Sequence, residues 1–296
     1  MSFRRGQLRN FVTVAEEGQI TRASAKLRLA QPAVSQSIAQ LEFELGVELL
    51  ERHPRGVTLT PAGEAFLPKA RDFVASERDA EMTAKSLARA AAGVIEVGFI
   101  GPPPTLSAPE LFNAFAEAHP DAEVSLRDLP FPRGATATWL EEVDVAFCHR
   151  PAVDPGISLK VIRTEPRGLV AHAGHRFARR EELTVAEVLD ETFVSYHPDV
   201  QPEWAGFHSL DDHRGGPPRS MTVDRAMTSL QMLGIMTTSR AVTTVPLTDA
   251  RVAQAVLPAA AIPLTDADPA VVSLVWRAEH AHPLVRALVT VADELA

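Results

Sequence analysis

The 296-residue chain has a single cysteine, Cys148, a single tyrosine, and no run of eighteen apolar residues. One cysteine excludes an intrachain disulfide and is typical of a reducing compartment. The missing apolar run argues against a transmembrane helix, and the N-terminal MSFRRGQLRNFV lacks the apolar core of a signal peptide. These absences predict a cytoplasmic protein that does not enter a membrane.

Motifs of common enzymes are missing as well: the chain has no G-x-S-x-G, P-loop, H-E-x-x-H or G-x-G-x-x-G pattern. His172 and His175 have a spacing that can bind metal, but no cysteine or paired carboxylate accompanies them. The SLDDH stretch at 209–213 is followed by RGGPPR, which indicates a solvated turn. We therefore expect no enzyme activity, no metal and no cofactor.

Charge is unevenly spread along a chain whose net charge is −9. Residues 1–60 carry eight basic and six acidic side chains, whereas the remainder carries 21 basic and 32 acidic ones. A weakly basic N-terminal segment on an acidic body is compatible with a DNA-binding end. This difference in charge does not by itself identify DNA as the partner; the motifs of residues 1–60 are more specific.

The first 60 residues predict three helices and a hairpin. Leu8, Phe11, Val12 and Ala15 follow helical spacing up to Gly18. Thr21 is positioned to cap a second helix, and a third begins near Pro32 and ends at Gly46. ERHPRGVTLT then places a proline and a glycine between two short β-prone pieces. This order is typical of a winged helix-turn-helix.

The third helix has one apolar stripe, formed by Val34, Ile38, Leu41 and Leu45, and an opposite face of small polar residues. The stripe holds the helix on its own domain, and the small polar face lets the backbone approach the bases of a major groove. The alternative is a surface helix with an uncharged patch. The predicted DNA contacts are Thr21, Arg22, Arg28, Gln31, Pro32, Ala33, Ser35, Gln36, Ser37, Gln40, Arg52 and Arg55.

The stretch TRASAKLRLAQPAVSQSIAQLEFELGVELLERHPRGVTLTPAGEAFL resembles the N-terminal domain of LysR-type transcriptional regulators, from about Leu8 to Phe66. The resemblance implies sequence-specific DNA binding. It also departs from the family at Ala30, where members commonly have serine; the change removes a cap or phosphate contact that is worth roughly 1 kcal/mol. Arg28 is a candidate to replace the phosphate contact.

A long helix is predicted from Pro61 to Ala92, because Thr60 and Pro61 form a start signal and good helix formers follow. Pro68 should bend it. Apolar or small residues recur in a seam of the coiled-coil type, which predicts a dimer interface through Phe66, Ala70, Phe73, Ala80 and Leu87. The alternative is a helix that packs on its own chain. The family resemblance implies an antiparallel linker-helix dimer.

Strands and helices alternate beyond Gly93, in the order VIEVGFI, LSAPELFNAFAEAHP, AEVSLRDL and VDVAFC, and the pattern restarts near GLVAHA. This predicts α/β architecture with largely parallel sheets in two lobes. We expect chain crossings near Thr164–Arg167 and Pro263–Asp266. This half resembles, more loosely, the family's effector domain, which has a periplasmic-binding-protein-like fold. The residues Thr238, Ser239 and Arg240 replace a Gly-x-Gly turn common in the family.

Effectors of such folds bind at the carboxyl ends of strands, in the cleft between lobes. The residues that follow the predicted strands are Pro104, Thr105, Leu129, Pro130, Cys148, His149, Arg150, Ser195, Tyr196 and His197, and they match by position the family's ligand contacts. Thr105 is expected to cap a helix, and helix amino termini there and near His197 favour an anion. Arg150 or Arg133 can add a charge-assisted bond, so a small carboxylate is one hypothesis and an apolar or aromatic effector another.

The expected molecule is α+β and multi-domain. It comprises a winged helix-turn-helix DNA-binding domain at 1–60, a linker helix for dimerisation at 61–92 and an effector domain at 93–296, with lobe I at 93–164 and 266–296 and lobe II at 165–265. The expected partners are double-stranded DNA with a two-fold symmetric operator, a small-molecule effector, further copies as a homodimer or homotetramer, and RNA polymerase as a candidate. The alternatives are a ligand-independent repressor, or a redox-responsive regulator acting through Cys148.

Overall fold

The structure is a computed structural model that describes residues 4–133, 140–149, 156–280 and 282–295. The chain divides into two compact units, Met1–Ala84 and Lys85–Ala296. Each unit is built around its own buried apolar clusters. No helix of the described residues is long and apolar enough to span a bilayer.

The first unit contains the three predicted helices and the hairpin. The helices are α1 (Arg5–Glu17), α2 (Ile20–Leu27) and α3 (Gln31–Leu45), and the strands are β1 (Leu50–His53) and β2 (Gly56–Leu59). The two strands pair antiparallel, with Leu50 opposite Leu59 and His53 opposite Gly56. The arrangement is a winged helix-turn-helix, as the sequence predicts.

Helix ends in this unit follow local chemistry. Gly18 and Gly46 end α1 and α3 in the left-handed conformation, at φ of 64° and 72°, which glycine adopts without a steric penalty. Arg28 occupies the same conformation at the end of α2, at φ 55°. Thr21 lies inside α2, whose N-cap is Gln19, so the expectation that Thr21 caps this helix is wrong.

The long helix α4 runs from Pro61 to Ala91, which is about 45 Å at 1.5 Å per residue. The Thr60 hydroxyl accepts a hydrogen bond from the Gly63 amide at 3.0 Å, so the predicted start signal is confirmed. Pro68 lies within the helix. Near the other end of α4, inside the second unit, the carboxylate of Asp144 accepts hydrogen bonds from Arg89.

A five-stranded sheet in the second unit, sheet I, has the order β4-β3-β5-β12-β6. Its strands are β3 (Val94–Phe99), β4 (Glu123–Asp128), β5 (Val145–His149), β6 (Ile157–Glu165) and β12 (Ala270–Arg277). The helices of this part are α5 (Pro104–Ser107), α6 (Pro109–Ala118) and α12 (Pro283–Glu294), with a 3₁₀ turn at Ala278–His280. Phe112, Phe115, Val285 and Leu288 are buried in its core.

The remaining strands form two smaller sheets, β10-β7-β11 and β8-β9, which a bridge between Phe193 and Val242 joins. We call these strands together sheet II. The strands are β7 (Arg167–His172), β8 (Thr192–Tyr196), β9 (Ser220–Ala226), β10 (Thr243–Pro246) and β11 (Ala259–Pro263). The helices are α7 (Val185–Val188), α8 (Pro202–Ser209), α9 (Asp211–Arg214), α10 (Ser229–Ser239) and α11 (Leu247–Val256).

Strand directions differ from the largely parallel sheets expected. β3 pairs parallel with β4 and β5, but β12 pairs antiparallel with β5 and β6, and β7 pairs antiparallel with β10 and β11. The chain leaves sheet I after Glu165 and enters sheet II at Arg167; it returns between Pro263 and Ala270. At both crossings one strand follows another with no helix between, and the two strands belong to different sheets.

Candidate functional site

The amino end of α3 and the wing form a concave polar surface. Thr21, Gln31, Arg52 and Arg55 all line it, together with Gln19 and His53. The guanidinium of Arg52 donates a hydrogen bond to the Ser35 hydroxyl at 2.9 Å, so the wing and the helix are joined. Four of the predicted DNA contacts therefore lie on one surface that presents two positive charges.

The outer face of α3 is exposed along two turns and a half, which brings most of the other predicted contacts together. Exposed side chains on this face or beside it are Arg22, Arg28, Gln31, Pro32, Ala33, Gln36 and Gln40. The Gln40 amide donates to the Glu44 carboxylate at 2.9 Å. Ala30 gives α3 no side-chain cap. In the first turn Pro32 has no amide proton, and the Ala33 amide donates to the Ala30 carbonyl at 3.0 Å.

The predicted DNA contact Ser37 is half-exposed and has a partner in its own unit. Its hydroxyl accepts a hydrogen bond from the buried Asn10 amide of α1 at 2.9 Å, and the residue lies next to Ile38 in the sequence. This bond links α3 to α1, and position 37 lies between the buried and the outer faces of the helix.

The predicted dimer seam on α4 divides into two parts. Ala70 is buried and Phe66 is half-buried among the core residues of the first unit, with the Phe66 ring 5.8 Å from that of Phe11. Phe73 and Leu87 are 45% and 64% exposed, and Ala80 is exposed. Ala70 is therefore corrected to a core residue, because its own chain already covers it.

The second unit contains an apolar cavity of about 360 Å³ between sheets I and II. Sheet I contributes the segment that follows β3, from Phe99 to Pro103, and the ends of β4 and β5 at Asp128 and His149. From the other side come the start of α10, parts of α8 and one face of α11. These residues are Trp204, His208, Ser229, Leu230, Met232, Leu233, Val245, Asp249, Val252, Ala253, Val256 and Leu257.

Two buried histidines form a hydrogen-bonded chain at the cavity. Nδ1 of His208 lies 2.5 Å from the carbonyl oxygen of Thr244, which can only accept, so Nδ1 carries the proton. Nε2 of neutral His208 then accepts from Nε2 of His149 at 3.0 Å. In its neutral form His149 therefore directs the Nδ1 lone pair toward Asp249, whose Oδ2 is 3.9 Å away, and supplies no proton to it.

Asp249 is the buried acid of this cavity. It is 9% exposed, and no described residue donates a hydrogen bond to its carboxylate. Burial raises the pKa of Asp249 to about 8, with an opposing contribution from Arg163. Asp128 also lines the cavity but is exposed, and partial burial raises its pKa too. The described lining residues include no lysine or arginine, so the carboxylate hypothesis finds no partner among them.

Most predicted effector contacts lie outside this lining; among them, only His149 belongs to it. Leu129, Cys148 and Tyr196 are buried in the apolar core, and the Tyr196 hydroxyl is bonded to Thr243 at 2.9 Å. The Ser195 hydroxyl donates to the Thr222 carbonyl at 2.5 Å. Pro104 is buried and Pro130 half-buried, and His197 is 3.5 Å from Asp199. Arg150 lies outside the described residues.

Thr105 does not cap a helix. It is the exposed second residue of the four-residue helix α5, whose N-cap is Pro103. The anion argument that was based on this end is therefore wrong, because a single turn capped by proline presents no such site. The adjacent Pro102 and Pro103 line the cavity instead.

Sequence reasoning missed Trp204, His208 and Asp249. Trp204 and His208 share one face of α8, where they are four residues apart, and their rings are 3.9 Å apart. Asp249 belongs to the first turn of α11, where an acid usually serves the helix dipole. The only signal is TVPLTDARVA, where a strand is followed at once by a helix. Ligands of α/β folds bind at the carboxyl ends of strands.

Asp212, His213 and Asp268 have ligand atoms within 4.8 Å of one another. The side chains of Asp212 and His213 already have protein partners. The Asp212 carboxylate accepts from Arg167 at 2.7 Å, and Nε2 of His213 accepts from the Asp268 amide at 3.1 Å. They hold a turn to the body of the unit, which accounts for the cluster without an ion.

Both halves of the chain match known families. Residues 6–64 match the model of the bacterial regulatory helix-turn-helix protein, lysR family, and residues 88–296 match the LysR substrate binding domain. The HTH-type transcriptional regulators TdfR and TfdS of Cupriavidus pinatubonensis are each 31% identical over 296 residues, covering 99% of this chain and 98% of theirs.

Solved structures agree with this assignment. Full-length CbnR in complex with its target DNA covers 99% of both chains, with 27% identity and a TM-score of 0.51. The family model and these relatives describe transcriptional regulators rather than enzymes. The chain therefore belongs to the LysR family of transcriptional regulators. Members of this family combine an N-terminal DNA-binding domain, here called the head, with a domain that binds a small-molecule effector.

Proposed function

We propose that the cavity between sheets I and II is the effector site and that its occupancy controls how the head binds DNA. The observation that carries this proposal is a buried carboxylate, Asp249, without a hydrogen-bond donor among the described residues, in the wall of an apolar cavity of about 360 Å³. That volume lies within the range of small-molecule sites, about 300–1,000 Å³. A buried carboxyl group without a hydrogen-bond partner costs free energy, and a ligand that bonds to it removes this cost.

On the DNA side, we assign base reading to Gln31, Gln36 and Gln40 on the exposed face of α3. Amide side chains can pair with adenine edges in the major groove. Phosphate contacts are assigned to Arg52 and Arg55 on the wing and to Thr21, Arg22 and Arg28 near α2, with Ser35 held by Arg52. Pro32 and Ala33 are small exposed residues, so the backbone of α3 can approach the bases.

The regulator acts, in this proposal, as a homodimer that pairs through the exposed part of α4, and as a homotetramer made of two dimers. Two heads then meet a two-fold symmetric operator, since the symmetry of the protein is matched by that of the site.

Because its target is DNA, we place the protein in the cytoplasm. RNA polymerase is a candidate partner. In this proposal residues 1–60 bind DNA, residues 61–92 form the dimer and residues 93–296 bind the effector.

Coupling between cavity and head is a difference in effector affinity between two arrangements of the assembly. An effector that fits better when the two sheets close on it changes the angle between dimers, and with it the bend of the DNA. The proposed mechanism predicts a change in the pattern of DNA contacts rather than a simple gain or loss of binding.

The decisive experiment is a DNase footprint of the purified protein on the DNA upstream of its own coding region, with and without candidate metabolites. Extended protection whose length or hypersensitive positions shift with a metabolite supports the proposal. The matched control is Ala253→Phe, which fills the cavity from α11 and should abolish the shift while leaving the basal footprint intact. A footprint that no metabolite alters contradicts the effector site.

Two alternatives receive less support. A ligand-independent repressor needs a cleft filled by its own side chains, whereas this cleft retains about 360 Å³. A redox regulator needs a reactive thiol, whereas burial raises the pKa of Cys148 to about 12 and leaves it 3% exposed. The thiolate is the reactive form of cysteine, so this environment disfavours oxidation.

A further inference from the structure

The chemistry of the cavity wall identifies a class of effector. We propose that the cavity selects an apolar molecule that carries a primary ammonium group, and that Asp249 is the residue that recognises this group. The inference rests on the proposed function only in taking the cavity to be a ligand site. It goes further by stating which polar group the ligand presents and which residue meets it.

Asp249 has unused capacity to accept hydrogen bonds. Within the described residues its carboxylate accepts no hydrogen bond, although a buried carboxylate can accept four. The nearest ring nitrogen, Nδ1 of His149, is 3.9 Å away and is an acceptor when the histidine pair is neutral. The donor for the ionised carboxylate therefore has to come from a molecule that occupies the cavity.

The charged side chains of the cavity wall are acidic. Asp249 and Asp128 both line the cavity, and the described lining residues contain no lysine or arginine. Arg163, which acts on Asp249 from a distance, is already paired with Glu165 at 2.7 Å. A carboxylate ligand would add a like charge to this wall. The raised pKa of Asp249, about 8, keeps the group mostly protonated at neutral pH while the cavity is empty. An ammonium donor favours its ionised form and makes the stronger, charge-assisted bond with it.

The rest of the cavity wall is largely aromatic and apolar, so it favours an apolar ligand. Phe99, Phe131 and Trp204 line the cavity, and the rings of Phe131 and Trp204 are 4.3 Å apart. Aromatic rings of this kind pack against apolar groups and attract cations. The Cβ of a residue at 101 would lie 3.3 Å from Oδ2 of Asp249, so Gly101 leaves space beside the carboxylate.

The test uses three probes that share a phenyl ring and a short chain but differ in their polar end: 2-phenylethylamine, 2-phenylethanol and phenylacetate. Calorimetric titration of the full-length protein at pH 7 should give an affinity for the amine at least about tenfold higher than for the alcohol or the acid. Equal or tighter binding of phenylacetate overturns the proposal, and so does the absence of binding by all three probes.

Two matched variants locate the recognition. Asp249→Asn keeps the shape of the side chain and should remove the preference for the amine, whereas Asp128→Asn removes a charge from the same cavity and should retain most of it. If both variants lose the preference for the amine equally, the preference comes from the net charge of the cavity and not from a contact with Asp249. That result would overturn the proposed role of Asp249. If Asp249→Asn does not fold, the comparison of the three probes on the wild type still decides the ligand class.

Footprints with the same probes separate this inference from the proposed function. Suppose that a metabolite without an ammonium group shifts the footprint of the wild type but not that of Ala253→Phe. The cavity is then the effector site, and the proposed ammonium class is wrong. Preferential amine binding that leaves every footprint unchanged confirms the recognition by Asp249 and contradicts the regulatory role of the cavity.

Discussion

Gln36 is exposed on the outer face of α3, while Val34 and Ile38, two residues to either side of it, are fully buried. Replacing Gln36 with alanine removes a candidate base contact without touching the core. We expect the preference for the operator over random DNA to fall by about tenfold or more, because a good amide–base pair discriminates by roughly 1–3 kcal/mol. Competition gel shifts with specific and random duplexes measure this ratio.

Arg55→Ala is the matched control on the wing. A phosphate contact carries no sequence information, so affinity for both duplexes should fall together and the salt dependence should weaken by about one charge. If Gln36→Ala also weakens both duplexes equally, Gln36 does not read a base, and the assignment of α3 as the reading helix has to rest on other residues.

The pH dependence of stability tests the environment of Asp249. Its pKa is raised to about 8 when folded, whereas an unfolded aspartate has a value of about 3.9. The stability this group contributes is therefore complete below about pH 4 and is lost as the pH rises through 8. Asp249→Asn should gain stability relative to the wild type by roughly 2–4 kcal/mol between pH 5 and pH 8 in urea unfolding.

Asp128→Asn is the control, because the exposed Asp128 should change this pH dependence little. Parallel curves for the wild type and Asp249→Asn would show that Asp249 is ionised and well solvated in the folded protein. That result would also remove the physical basis for a ligand donor at this position.

At the scale of elements, Asp144 joins the end of α4 to sheet I. It accepts hydrogen bonds from Nε and Nη2 of Arg89 at 2.7 and 2.6 Å, from Ser86 at 2.8 Å and from the Glu96 amide at 2.9 Å. Burial opposes the charge, but these bonds together lower the pKa of Asp144. The stability it contributes is therefore present at neutral pH and is lost as the pH falls through that lowered value.

Asp144→Ala should destabilise the protein by about 2–4 kcal/mol at pH 7, because it leaves a partly buried guanidinium without its carboxylate. Glu142→Ala is the control from the same segment: its side chain is 71% exposed and pairs with Arg127 on the surface, so it should cost less than about 1 kcal/mol. Urea unfolding of both variants decides the matter; losses of equal size would exclude a structural role for the Asp144 cluster.

The elements that the sequence predicts well are those with local signals. Gly18 and Gly46 end helices, and the Thr60–Pro61 pair starts one, because backbone conformation and capping act within a few residues. The antiparallel position of β12 between β5 and β6 has no local signal, since alternation of apolar residues does not reveal a strand's neighbours. The capping roles expected of Thr21 and Thr105 failed for a related reason: each helix begins before the threonine.

The site shows the same limit. On the head, exposed polar residues of one helix form the surface directly, so most of the predicted contacts lie together. The cavity is assembled from β5, α8, α10 and α11, which are far apart in sequence, and its central acid looks like an ordinary helix-start residue. Positions after strands therefore identified His149, but Trp204 and Asp249 become visible only when the elements are packed.

At the scale of the whole molecule, pairing depends on the part of α4 that its own chain leaves exposed. Phe73 and Leu87 are large apolar side chains with 45% and 64% exposure, which is typical of surfaces that meet a partner. The double change of Phe73 and Leu87 to glutamate should convert the dimer to single subunits in light scattering, because two charges are then placed in the seam. Folding should be preserved, since neither residue is in the core.

The control is Val223→Glu on β9, where the side chain is 97% exposed but outside the seam, so that the dimer should persist. On DNA, loss of the dimer should weaken binding to a full symmetric operator by about 100-fold or more and leave half-site binding unchanged, because the second head no longer binds at high effective concentration. A double variant that keeps its dimeric mass would place the interface elsewhere. One that becomes monomeric but still binds the full operator as tightly would show that each head acts alone, and the two-fold operator would lose its physical basis.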